Sequence, residues 1–178
     1  MSRTRFPKKR PTLPLRLWLL LPLLSIGATA SLLGQGLGKT PTWDEAIRAY
    51  QGLHDRHPEN TTWAPFGTAD VGHPLHLFTM GKKEGAELTL LVNNAIHPGE
   101  PCGVNACIAW ATDMLDGGTL PDGVHIAIVP IYNVGGGLRR NCCTRANQLG
   151  PEMYGFRGNA RNLDLNRDFI KCDSRNAL

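Results

Sequence analysis

Two apolar runs separated by one helix-length segment constrain this chain more than anything else in it. Leu88, Leu90, Leu91 and Val92 form the first run, and VHIAIVPI, Val124 to Ile131, forms the second. Between them, Val104, Cys107, Ile108 and Ala111 recur at helical spacing from about Gly103 to Leu115, and Asp116, Gly117 and Gly118 supply the stop. A strand, a helix of about a dozen residues and a second strand make a βαβ unit, and hence parallel strands in an α/β sheet. Such continuous apolar runs read as strands buried on both faces.

The junction between the first strand and the helix carries the chemistry. It reads LVNNAIHPGEPCG, Leu91 to Gly103, so a buried strand delivers His97 and Glu100 into a Pro-Gly turn. An imidazole and a carboxylate on either side of a tight turn can converge on one ion, as a zinc site with nitrogen and oxygen ligands requires. The plainer reading makes Glu100 a favourable charge at the helix N-terminus and His97 a loop residue. The position, at the C-terminal end of an α/β strand, favours the ligand reading, because such sheets place ligands there.

The remaining elements are read as scaffold. Thr42 and Glu45 make a capping box, and Trp43, Ala46, Ile47, Tyr50 and Leu53 predict a helix ending near Pro58. His54 and His57 fall in its last turns, where they suit a helix C-terminus. Residues 61–80 read as two short strands around a turn, in which His73 and His76 cannot readily share an ion. His125 reads as a sheet histidine. GQGLGKT, Gly34 to Thr40, lacks the first glycine of a phosphate loop and is followed by Pro41, so it reads as a tail. Past Tyr132 the sequence turns to glycine, asparagine and arginine and predicts a long loop, of the kind that is either functional or disordered. Within it, DLNR (Asp164 to Arg167) offers an arginine and an amide suited to gripping a carboxylate.

Composition excludes some partners. The formal charge of +4 comes from the first 30 residues, which hold six basic residues and no acid; the other 148 carry 13 basic and 15 acidic residues, or −2. A nucleic-acid-binding body is not indicated. The same 30 residues have a basic start, an apolar run from Leu17 to Ile26 and small residues at Ala28, Thr29 and Ala30, which together predict a secretory signal. The apolar run is short for a membrane span of about 20 residues. The chain is therefore expected to be exported, periplasmic or extracellular, touching a membrane only through that segment if it is uncleaved. All five cysteines lie beyond it, where at most one or two bridges are expected.

Taken together, IHPGEP, the strand end PIYNVGG and NQLGPEMYGFRGNARNLDLNRDF resemble the zinc metallocarboxypeptidases over residues 42–178, and look most like their bacterial exported branch. The resemblance implies an α/β fold with a mixed, largely parallel sheet flanked by helices, and removal of C-terminal residues from peptides or peptidoglycan stem peptides. His97 and Glu100 match the first two zinc ligands. Arg157, nine residues before Asn166, matches the arginine that polarises the scissile carbonyl, with Arg145 and Arg161 as competitors for that role. Asn166 and Arg167 match the pair that holds the substrate's terminal carboxylate. The family's third ligand histidine, substrate-side tyrosine and glutamate base fall downstream of DLNR, beyond Leu178. Residues 1–30 thus read as signal, 31–41 as tail and 42–178 as the N-terminal part of a catalytic domain, truncated and inactive by itself. A zinc deacylase or desuccinylase of the same architecture, and a non-catalytic module binding peptide C-termini, are the alternatives.

Overall fold

The computed structural model describes residues 38–178, which fall within one compact unit. The predicted signal and residues 31–37 of the tail lie outside the described residues. No helix among the described residues is long and apolar enough to cross a membrane.

Helix α1, Trp43–Arg56, begins as its sequence dictates: the Thr42 hydroxyl accepts from the Glu45 amide, and the Glu45 carboxylate accepts from the Thr42 amide at 2.8 Å. Its buried residues, Ala46, Tyr50 and Leu53, share one face. Strands β1 (Thr61–Thr68) and β2 (Pro74–Met80) form an antiparallel hairpin, followed by β3 (Leu88–Asn93), helix α2 (Cys102–Asp116) and β4 (Val124–Val129). The sheet is mixed, in the order β1-β2-β4-β3. The predicted βαβ unit is present, with β3 and β4 parallel from Leu88↔Val124 to Asn93↔Val129, while β2 meets β4 antiparallel.

One face of the sheet is covered by both long helices. Tyr50 and Leu53 of α1 and Cys107, Ala111 and Leu115 of α2 pack with Phe78, Met80, Ile126 and Ile128, the same-face residues of the two central strands. On the opposite face Leu77 and Val129 meet Tyr132, Ile96 and Leu165. Leu165 belongs to a short 3-10 turn, Leu165–Arg167, so the DLNR stretch is anchored by its apolar residue onto the sheet.

Two expectations need correction. Strand β3 is not buried: Leu88, Leu90 and Leu91 are exposed, because β3 lies at the sheet margin with β4 as its one neighbour among the described strands. Its continuous apolar pattern belongs to a strand covered on both faces, a condition these residues do not meet. The glycine-rich stretch after Tyr132 is not all loop either. It opens with helix α3, Val134–Leu138, capped by the Asn133 side chain on the Gly136 amide at 2.8 Å. Glycine, a poor helix former, is needed there because a Cβ on Gly136 would run into the Phe156 carbonyl.

Candidate functional site

The parallel pairing of β3 and β4 continues past both strands and builds the site. The Asn94 amide donates to the Val129 carbonyl, Tyr132 to Asn94 and Asn133 to Ala95, which carries residues 94–97 alongside 129–133 at the C-terminal end of the sheet. His97 then enters the Pro-Gly turn, closed by the Glu100 amide on the His97 carbonyl at 2.8 Å. Asn133, fully buried, joins the two halves of the site: its amide donates to the Ile96 carbonyl at 3.3 Å and to the Arg157 carbonyl at 3.0 Å.

Around His97 the polar groups are ordered. Its Nε2 lies 2.8 Å from Asp164 Oδ1, while Nδ1 faces Glu100 Oε1 at 3.4 Å and Arg157 Nη1 at 3.2 Å. Arg157 also donates to Asp164 Oδ2 through Nε (3.2 Å) and Nη2 (2.9 Å). The imidazole is 8% exposed, whereas Glu100 is half exposed and takes Arg145 Nη1 at 2.5 Å. Burial alone would raise the Asp164 carboxyl, but the hydrogen bonds from His97 and Arg157 and the Asn166 amide bring it down to about 2. Glu100 behaves likewise: against burial, the Arg145 guanidinium, aided by His97 and Arg157, holds it below the usual carboxylate range.

The His97–Glu100 pair suits a zinc ion. Ligand bonds of about 2.0–2.2 Å at a tetrahedral angle put two donor atoms about 3.3–3.5 Å apart, which matches the 3.4 Å between Nδ1 and Oε1. A carboxylate on the imidazole's other nitrogen is the usual arrangement behind a ligating histidine, because it fixes ring orientation and tautomer. The fit extends to two donors: no cluster of three or more His, Cys, Asp or Glu suited to a metal occurs among the described residues. Cys142 and Cys143 are joined in a disulfide and are not thiolate donors, and Cys102, Cys107 and Cys172 are free.

His97, Glu100 and Arg157 are therefore brought together, with Arg157 Nη1 3.7 Å from Glu100 Oε1. Asn166 and Arg167 lie exposed on the 3-10 turn directly after Asp164, Arg167 Nη1 donating to the Asn166 carbonyl at 3.0 Å. Arg161 turns away, onto the Asp173 carbonyl at 2.9 Å. The other histidines serve the scaffold: His54 bonds Thr61, His57 bonds Asp116, His125 bonds the Gly81 carbonyl, and His73 and His76 pack against tryptophans. Sequence reasoning missed Asp164 and Asn133. Both stood inside quoted motifs, but a side chain that works by supporting another has no spacing signature of its own.

The architecture is similar to solved metallocarboxypeptidases. A metallo-carboxypeptidase from Burkholderia cenocepacia matches with a TM-score of 0.59 at 17% identity, over 78% of this chain and 36% of that one. The carboxypeptidase A of Helicoverpa armigera matches with a TM-score of 0.53 at 17% identity, over 70% and 32%. No family model and no curated protein matches the chain. These likenesses show the fold: the described residues adopt that of the metallocarboxypeptidases, and the chain spans about a third of the length of the structures it matches.

Proposed function

We propose that these residues form part of the active site of a zinc-dependent exopeptidase that removes C-terminal residues from peptides. The observation that carries the proposal is the His97–Glu100 pair at 3.4 Å with Asp164 on the far side of the imidazole, at the C-terminal end of a parallel strand pair. The similar structures are named as carboxypeptidases, which favours a peptidase over a deacylase of the same architecture.

In this reading His97 and Glu100 hold the ion, which when bound supplies Lewis acidity at the scissile carbonyl. Asp164 keeps the imidazole in one tautomer and orientation. Exposed Asn166 and Arg167 receive the substrate's terminal carboxylate, for which a guanidinium fork and an amide are the natural donors. A guanidinium beside the ion stabilises negative charge on the carbonyl oxygen. Arg157 is the candidate from sequence, with Arg145 its competitor. The substrate is a peptide, either free or from peptidoglycan, met after export.

Two protein donors hold zinc less firmly than three. Competition with a chromophoric chelator is expected to find one weakly held zinc per 178-residue chain and at least tenfold weaker binding in His97→Ala; no zinc in the wild type would overturn the proposal. The chain by itself is expected to release no C-terminal residue from blocked dipeptides. Chelator-sensitive release would show that two donors suffice.

A further inference from the structure

The disulfide Cys142–Cys143 joins immediate neighbours in the chain. A bridge stabilises a fold by closing a loop, and its contribution grows with the length of the loop closed. No residue lies between these two, so the bridge ties no distant segments together and is not a staple. Both residues are exposed, whereas the free thiol of Cys107 is buried in the core. An exposed disulfide is of the labile kind that exchanges with external thiols.

The bridge stands at the root of a segment that reaches the candidate site. Asn141 and Tyr154 pair backbone to backbone and close that segment. The Cys143 amide donates to Asn141 Oδ1 at 3.1 Å, and the Arg145 amide to the Tyr154 hydroxyl at 3.2 Å. From there Arg145 crosses the Pro-Gly turn: a Cβ on Gly99 would sit 2.8 Å from its Cδ, and its Nη1 meets Glu100 Oε1 at 2.5 Å. Gln148 grips the same turn, donating to the Gly99 carbonyl at 2.9 Å. The backbone between Asn141 and Arg145 therefore sets where the guanidinium falls. The bridge locks the middle of that stretch, because the soft torsions on either side of the Cys142–Cys143 peptide cannot turn independently while the ring is closed.

We propose that Cys142–Cys143 is a reversible thiol-exchange site, and that its opening releases Arg145 from Glu100. The co-reactant is a small dithiol. Its thiolate attacks one sulfur of the pair and forms a mixed disulfide, while the S–S bond breaks and the departing cysteine sulfur takes up a proton. The reagent's second thiolate then attacks the reagent's own sulfur in the mixed disulfide, and the other cysteine leaves and is protonated in turn. The chain gains two electrons and two protons, and the dithiol departs as a cyclic disulfide; an external disulfide reverses the exchange. With the ring open, Arg145 loses its fixed line over Gly99 and Glu100 loses its nearest guanidinium. Control of the His97–Glu100 pair by this exchange rests on the zinc exopeptidase reading above; the exchange itself does not.

The test uses the metal-free 178-residue chain. Free thiols are blocked in denaturant with N-ethylmaleimide, and any bridged cysteines are then reduced and labelled with iodoacetamide. Cys142 and Cys143 are expected to carry the second label, and Cys102, Cys107 and Cys172 the first. In NMR spectra of the native chain, dithiothreitol is expected to shift the Arg145 Nε–H and Glu100 carboxyl signals, and oxidised glutathione to restore them, while the Asn141 and Tyr154 amides hold. Cys142→Ser/Cys143→Ser is expected to show the reduced signals and no response to either reagent; Cys142→Ala/Cys143→Ala guards against a folding failure. In Arg145→Met the Glu100 response should vanish while the exchange of Cys142 and Cys143 persists. Cys142 and Cys143 carrying the first label would overturn the proposal. So would Arg145 and Glu100 signals unmoved by reduction, or a Glu100 response that survives in Arg145→Met. Zinc bound by a chain that shows no such shift would sink the exchange alone; the shift in a chain that binds no zinc would sink the zinc reading and leave the exchange standing.

Discussion

Asp164 and Asp168 stand at the two ends of one 3-10 turn, four residues apart in DLNRD, and do opposite work. Asp164 caps the turn by accepting the Asn166 amide at 3.0 Å and spends its remaining capacity on an imidazole and a guanidinium, both belonging to the candidate site. Asp168, 4% exposed, spends its own on the chain that follows: the amides of Asp173 and Ser174 and the Ser174 hydroxyl. Asn176 continues that closure, donating to the Tyr132 carbonyl at 2.6 Å beside the end of β4. Identical chemistry at the two ends of one turn is thus divided between positioning a ligand and tying down a segment. What decides is which groups the backbone brings within reach, not the residue type.

Asp168→Ala is the sharpest way to break that division. It leaves one hydroxyl and two amides unpaired in a buried setting, so a loss of about 3 kcal/mol or more is expected in urea denaturation, with Asp168→Asn intermediate because it keeps one acceptor. Asp164→Ala should cost less stability, about 1–2 kcal/mol, since its side chain is 29% exposed and water can replace part of what is lost. Its mark should appear instead in zinc affinity, lowered about 10–100-fold. If Asp164→Ala proved as destabilising as Asp168→Ala and held zinc normally, the two carboxylates would be equivalent and the division wrong.

Acid sharpens the same contrast. Both carboxyls titrate below their ordinary values in the fold, Asp168 chiefly through the Ser174 hydroxyl and Asp164, against burial, through His97 and Arg157, down to about 2. A depressed folded pKa means stability fully present above about 4 and lost as pH falls through the folded value. Wild-type tryptophan fluorescence should therefore reveal weakening that begins below about pH 4. Asp168→Asn, less stable at neutral pH, should lose less on further acidification than the wild type. An equal loss would mean that Asp168 contributes nothing to acid sensitivity.

The division also explains what the sequence could and could not disclose. The capping box of Thr42, the βαβ unit and the His97–Glu100 turn were legible because each depends on residues close in the chain, with a period or a spacing to read. Asp164 was not legible as a partner of His97: the two are 67 residues apart and meet through the folding of the C-terminal segment across the sheet face, led by Leu165. Helix α3 was missed because Gly135, Gly136 and Gly137 oppose helix on propensity. Tertiary packing, with the 156–160 segment pressed against Gly135 and Gly136, overrides it. The exposure of β3 escaped for the converse reason, since an apolar pattern reports what a strand is suited to pack against and not what lies beside it.

Between the two aspartates, Asn166 and Arg167 give the smallest expected effect on stability and the last test. Both are exposed, and the Asn166 side chain has no hydrogen bond among the described residues; Arg167 reaches only the Asn166 carbonyl. Alanine at either position should change unfolding free energy by no more than about 0.5 kcal/mol, the range of surface substitutions. Zinc affinity should also hold, since among the described residues no hydrogen bond or ion pair joins either side chain to His97 or Glu100. Binding of an N-blocked amino acid, followed by calorimetry on the zinc-loaded chain, should fall about tenfold or more in Arg167→Ala, because a bidentate guanidinium–carboxylate pair is lost, and less in Asn166→Ala. A blocked amino acid bound equally well by the wild type and both variants would remove the carboxylate-gripping role from this turn. The exposed pair would then be spacer residues between one aspartate that serves the site and one that serves the fold.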